Sequence, residues 1–125
     1  MAPRLEELRA VPGLSVAALL GADGLTLATV GEGAELLAAE LSGLSSALNR
    51  LDRRLGVGEV SRLAFTTANL EVITLSRGGY TLAAALMRGT DTQAAQQLMA
   101  RLMEDALDQL PPQFSDDQDA QGAAV

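Results

Sequence analysis

Leucines recur at positions 37, 41, 44, 48, 51 and 55 of the stretch from Ala34 to Leu55, AELLAAELSGLSSALNRLDRRL, which contains no proline. Spacings that alternate between four and three lay all six along one face of an α-helix of roughly 33 Å, at 1.5 Å per residue. The pattern predicts that this face is buried, with about 1.5–3 kcal/mol from each leucine fully removed from water. A second seam on the same helix, Leu36, Glu40, Gly43, Ala47, Arg50 and Arg54, combines small residues with an acid near the start and bases near the end. Laid antiparallel on a copy of itself, it pairs Glu40 with Arg50 and Gly43 with Ala47, an isologous arrangement. Complementation of the helix dipole explains the same charges. A third flank, Ala38, Ser42, Ser45, Asn49 and Asp52, is small and polar and is expected to face solvent or a partner protein.

Around this helix the other segments fall into place in order. Pro3 suits the first position of a short helix that carries Leu5 and Leu8 on one face and ends before Pro12-Gly13. Leu14 to Leu20 is apolar at nearly every position, as a strand covered on both faces would be. Gly21-Ala22-Asp23-Gly24 turns it into Leu25 to Val30, which completes a hairpin. Gly31-Glu32-Gly33 leads into the long helix, and Gly56-Val57-Gly58 ends it. Val60–Thr67, Leu70–Ser76 and Tyr80–Met87 follow with connections of two or three residues, an antiparallel meander. Thr90 and Gln93 stand at capping-box spacing before a last helix at about Asp91–Leu110.

These elements predict an α+β fold in α/β/α layers with the order α-β-β-α-β-β-β-α. A five-stranded antiparallel sheet carries the long helix on one face and the N- and C-terminal helices on the other, a profilin-like plan. Strands 14–20, 70–76 and 80–87 are the most apolar and belong at its centre. The strand from Val60 carries Ser61, Arg62, Thr66 and Thr67 and belongs at an edge, where unpaired backbone groups promote association. After Pro111-Pro112 the sequence QFSDDQDAQGAAV holds one large apolar residue and three aspartates. Residues 111–125 therefore read as a disordered acidic tail on a single domain, 1–110.

Composition narrows the function. Only two phenylalanines, one tyrosine and no tryptophan contribute to the 48% of apolar residues, so the core is leucine and alanine. Sixteen acids against nine arginines give a net charge of −7, with no lysine, which argues against nucleic acid as a partner. No apolar run approaches the ~20 residues that span a bilayer, and the start lacks a signal-peptide core; the chain reads as cytoplasmic, without membrane insertion. With neither histidine nor cysteine, it lacks the usual general base and the usual soft metal ligands. The reading is of a protein that is not an enzyme, with no cofactor and no metal.

Gly31-x-Gly33 follows a strand and opens a helix, as a dinucleotide fingerprint does. However, Leu36 occupies the third glycine position, the flanking strands form a hairpin, and Glu32 and Glu35 would repel a pyrophosphate. Arg50, Arg53, Arg54 and Arg62 gather toward one end of the long helix, as a patch for an acidic protein surface or as complements to the helix dipole.

The element order, the Val11-Pro12-Gly13-Leu14 approach to the first strand, the Asp23-Gly24-Leu25-Thr26-Leu27-Ala28 hairpin and the leucine-rich helix together resemble the Roadblock/dynein light chain family over about residues 4–110. Stand-alone prokaryotic members of this size regulate a small Ras-like GTPase in cell polarity and motility. The resemblance implies a homodimer with paired long helices and sheets joined edge to edge, and a GTPase docked on the dimer. It also implies an activator that reshapes the GTPase's switch region without supplying a catalytic residue. On this reading Leu36, Glu40, Gly43, Ala47, Arg50, Arg54 and Arg62 form the dimer interface, and Ser42, Ser45, Asn49, Asp52 and Arg53 bind the partner. A structural scaffold subunit of the same fold is the alternative. A small-ligand sensor is a third reading, and it needs a pocket under the sheet, where leucine faces and the lack of a polar cluster argue against one.

Overall fold

The computed structural model describes residues 4–109. The helix start at Pro3, the helix end at Leu110 and the acidic tail lie outside the described residues. The elements are an N-terminal 3-10 helix (Leu5–Ala10), β1 (Leu14–Leu20), β2 (Thr26–Val30), α1 (Ala34–Leu55), β3 (Arg62–Thr66), β4 (Leu70–Arg77), β5 (Tyr80–Met87) and α2 (Gln93–Gln109). The strands form one antiparallel sheet in the order β2-β1-β5-β4-β3, with β1, β5 and β4 central and β3 at an edge.

The first helix is 3-10, not α, and its neighbour Pro12 explains why. Proline holds the preceding Val11 in an extended conformation, at φ −76° and ψ 125°, so the helix has no room for a second α-turn. With three residues per turn, Leu5, Leu8 and Val11 fall on one line, and all three are buried. Between β4 and β5, Gly78 and Gly79 both take positive φ, 60° and 88°, the two-residue turn that matches strand twist. Tyr80 therefore pairs directly with Arg77.

One face of the sheet meets the 3-10 helix and α2. Leu19, Leu82, Leu86 and Tyr80 pack there with Leu8, Met99 and Met103, each at most 2% exposed. The other face meets α1, but not along its leucine stripe. The sheet contact is made by Ala34 and Ala38, against Ala18 and Leu20 of β1, and Leu41 one turn further on is buried as well. Alanine facing alanine lets helix and sheet approach closely, and this turns the leucine stripe sideways. Leu44, Leu51 and Leu55 remain 37%, 44% and 68% exposed, so the expectation of a wholly buried leucine face fails within one chain.

The helix ends are set by backbone as much as by side chains. Gly56, at φ 65°, closes α1 by donating its N–H to the Asp52 carbonyl, and Gly58 N–H donates to Asp52 Oδ1 at 2.8 Å. At α2 the capping box expected of Thr90 and Gln93 does not form, because the Thr90 hydroxyl donates backward to the Met87 carbonyl. Asp91 instead accepts the Gln93 N–H, and Thr92 Oγ1 accepts from the Gln96 side chain.

Edge strand β3 is tied to the body by Glu71 of β4. Its carboxylate accepts the Gly89 N–H at 3.2 Å and the Thr66 hydroxyl at 2.9 Å, with Arg88 at 3.8 Å. The Gly89 backbone hydrogen bond, then Thr66 and the Arg88 charge, hold this carboxyl below its usual 4.5. A lowered folded-state pKa gives stability that is present above the unfolded value and lost as pH falls through the folded one. Denaturant unfolding between neutral and strongly acid pH should therefore show that Glu71→Gln flattens the loss of stability below about pH 4.5. An unchanged acid slope would mean that the carboxylate contributes nothing.

Candidate functional site

Two surfaces are open to another chain. The first is the flank of α1 formed by Leu44, Leu51 and Leu55, with half-buried Leu37 and Leu48 between them. The second is β3 itself, which pairs with β4 alone, so its outer N–H and C=O groups have no strand partner in the sheet. Phe65 of β3 is 37% exposed, and Arg62, Ala64 and Thr66 are exposed with it. Large apolar side chains left in water beside an unpaired strand are a surface for another chain.

The seam expected at the dimer interface lies on the outward side of α1, turned away from the sheet. Leu36, Glu40, Gly43, Arg50 and Arg54 are exposed, and Ala47 is half-buried. A methyl group on Gly43 would meet no atom within 4 Å. This seam carries one large apolar residue, whereas the leucine flank carries five.

The small polar flank is turned partly toward the sheet. Ala38 is buried against β1, and a Cβ on Gly24 would stand 2.8 Å from Ser42 Oγ. Ser42, Ser45 and Asn49 line a cleft of about 150 Å³ between α1 and the sheet, whose floor carries Thr74, Ser76 and Thr81. The expectation that this flank faces outward is corrected for Ala38, Ser42 and Ser45, while Asn49 stays exposed at the rim of the cleft, and the expectation that no polar cluster lies beneath the helix is corrected with it. The reason is one of phase: with Ala34 and Ala38 on the sheet, the next turns bring Ser42 and Ser45 toward it. The signal that sequence reading missed is Thr74 and Ser76, polar residues at a spacing of two in a strand otherwise apolar enough for the core. Asp52 is half-buried and holds the Gly58 loop, and Arg53 is exposed.

Arg50, Arg53, Arg54 and Arg62 are all exposed, and none forms an ion pair with another described residue. Their guanidinium groups are thus available to a partner. Among the described residues no three acidic side chains gather into a possible metal site. No described helix is long and apolar enough to cross a membrane.

A layered profilin-like domain whose prominent features are an exposed leucine flank, a free strand edge and unpaired arginines belongs to the class of protein-interaction domains. The family model of the Roadblock/LC7 domain matches residues 4–87, and the chain belongs to that family. Among solved structures it is similar to a Roadblock/LC7 domain from Streptomyces avermitilis, with 27% identity and a TM-score of 0.70, over 79% of this chain and 87% of the other. Myxococcus xanthus MglB is 16% identical with a TM-score of 0.64, over 73% and 78% of the two chains. The gliding protein MglB of Thermus thermophilus is 19% identical with a TM-score of 0.66, over 78% of each. At such identities the two MglB proteins share the fold. No curated protein matches the chain.

Proposed function

We propose that this chain is a non-catalytic homodimeric regulator that binds a small Ras-like GTPase, preferentially in its GTP form, and promotes GTP hydrolysis. The observation that carries the reading is the exposure, on one chain, of the leucine flank of α1 together with the unpaired edge of β3. Two copies that pair these flanks remove the leucines from water, and β3 edges that pair join two sheets into one. This moves the interface round α1 from the Gly43 seam to the leucines and keeps Arg62 within it.

The dimer then presents Arg50, Arg53 and Arg54 on its outer surface, as charges that steer an acidic partner. A chain without catalytic side chains alters a reaction when it binds one conformation of an enzyme more tightly than another, since differential affinity shifts the population. The likeness in fold to MglB proteins, one of them named a gliding protein, supports a role in polarity or motility control in the cytoplasm.

The test is calorimetric titration of the dimer into a candidate Ras-like GTPase from the same cell, loaded with GDP or with a non-hydrolysable GTP analogue. Tighter binding of the analogue form, with faster hydrolysis of GTP, is the expected result. Equal affinity for both forms would leave a scaffold subunit, and preference without faster hydrolysis would make the chain an effector.

A further inference from the structure

A helix lies on a sheet because both surfaces shed water, so the contact is ordinarily apolar throughout. Here the rule holds under the first half of α1, where Ala34 and Ala38 sit on Ala18 and Leu20 and Leu41 is buried beside them. It fails under the second half. Ser42, Ser45 and Asn49 face Thr74, Ser76 and Thr81 across a cleft of about 150 Å³. Ser76 and Thr81 hydrogen-bond to each other at 2.9 Å. The side chains of Ser42, Ser45, Asn49 and Thr74 have no hydrogen-bond partner among the described residues. The interface has thus kept both its volume and four polar groups with unused capacity.

The lining sets the chemistry of what fits. Each hydroxyl both donates and accepts, and the carboxamide of Asn49 does the same through two atoms. The two charged residues at the cleft, Glu59 and Arg77, are opposite in sign, and the Arg77 guanidinium is already engaged by Glu104 at 3.0 Å. That leaves Glu59, exposed and without an ion pair among the described residues, as a negative charge at the rim that turns an anion away. Leu41 and Leu63 add an apolar wall of the kind that C–H groups lie against. At roughly 30 Å³ per molecule of liquid water, the space corresponds to about five water molecules, a volume suited to a small polyol the size of glycerol.

We infer that the cleft between α1 and the sheet is a binding site for a neutral, polyhydroxylated small molecule of about that size. Its hydroxyls replace water against Ser42, Ser45, Asn49 and Thr74. The site borders the leucine flank through Leu48 and β3 through Leu63, but the proposed GTPase contact uses none of its polar groups, so it stands whether or not the chain regulates a GTPase.

The probes are glycerol and meso-erythritol, with inorganic phosphate as a charged comparison, followed by amide chemical shifts of the full chain. The titration runs to roughly 50 mM, enough to saturate a site with a Kd of about 1 mM. Saturable shifts confined to residues 21–24, 42–49 and 74–81 with either polyol, and none there with phosphate, are the expected result. Thr74→Val, nearly isosteric, should weaken that binding about three- to tenfold through loss of one hydrogen bond. Ser45→Leu should abolish it by filling the cleft, and its unperturbed shifts elsewhere report that the fold is intact. No saturable shift with either polyol, binding of phosphate instead, or binding unchanged in both variants would overturn the proposal.

Discussion

Leu51→Glu combined with Leu55→Glu should leave a folded monomer at concentrations where the wild-type chain sediments as a dimer. Both side chains are substantially exposed in the single chain, at 44% and 68%, so charge there does not enter the fold's own core. In the proposed dimer the same positions are covered. Each substitution removes apolar area worth a share of about 1.5–3 kcal/mol and adds a carboxylate that must lose water. A dimer weakened at least a hundredfold, about 2.7 kcal/mol, is the expected result, with unchanged far-ultraviolet circular dichroism. Gly43→Arg is the companion variant. It lies on the outward seam, where an added side chain meets nothing within 4 Å, and should dimerise as the wild type does. Monomeric Gly43→Arg beside a dimeric double glutamate variant would return the interface to the outward seam. A wild-type chain that is monomeric at tens of micromolar would remove both.

The second large effect concerns the step from β2 into α1. Gly31 has φ +89°, and a Cβ there would stand 2.5 Å from the Ser15 carbonyl oxygen and 3.2 Å from Val16 Cα. Both obstacles are backbone, so no rotamer change relieves them. Gly31→Ala should therefore cost the strain of a left-handed non-glycine residue together with an overpacking term, on the order of 2–4 kcal/mol. For a domain of this size that is a fall of about 10–25 °C in melting temperature. Gly33 supplies the control. Its φ is nearly the same, +88°, yet nothing lies within 4 Å of its missing Cβ. Gly33→Ala should lose only the conformational part, about 1–2 kcal/mol. Equal losses in the two variants would show that the close approach of β1 to Gly31 carries no weight.

Much of the architecture was legible because it depends on local chemistry. The continuous apolar character of 14–20, 70–76 and 80–87 placed these strands in the middle of the sheet, and the polar residues of the 60–67 stretch placed β3 at an edge. Glycines at 56 and 58 marked the end of α1, and the boundaries Ala34–Leu55 are those the pattern predicts. The site was less legible. Its arginines and its free edge could be read from the chain, but Thr74, Ser76 and Thr81 have meaning only opposite Ser42, Ser45 and Asn49, which lie some thirty residues away in sequence.

The sequence by itself determined which segments are helices and strands, because periods of 3.6 and 2 and the positions of glycine and proline are properties of neighbouring residues. It determined equally that α1 carries a continuous leucine face, which the pattern alone assigned to the core. Only the tertiary structure decided which face of the helix meets the sheet. A helix with both an alanine line and a leucine line can rest on either, and the choice falls to the opposing surface. In this chain β1 offers Ala18 beside Leu20, small enough for Ala34 and Ala38 to sit close, so packing density selects the alanines. The leucines are thereby left for a second chain, and the serines are turned over the sheet.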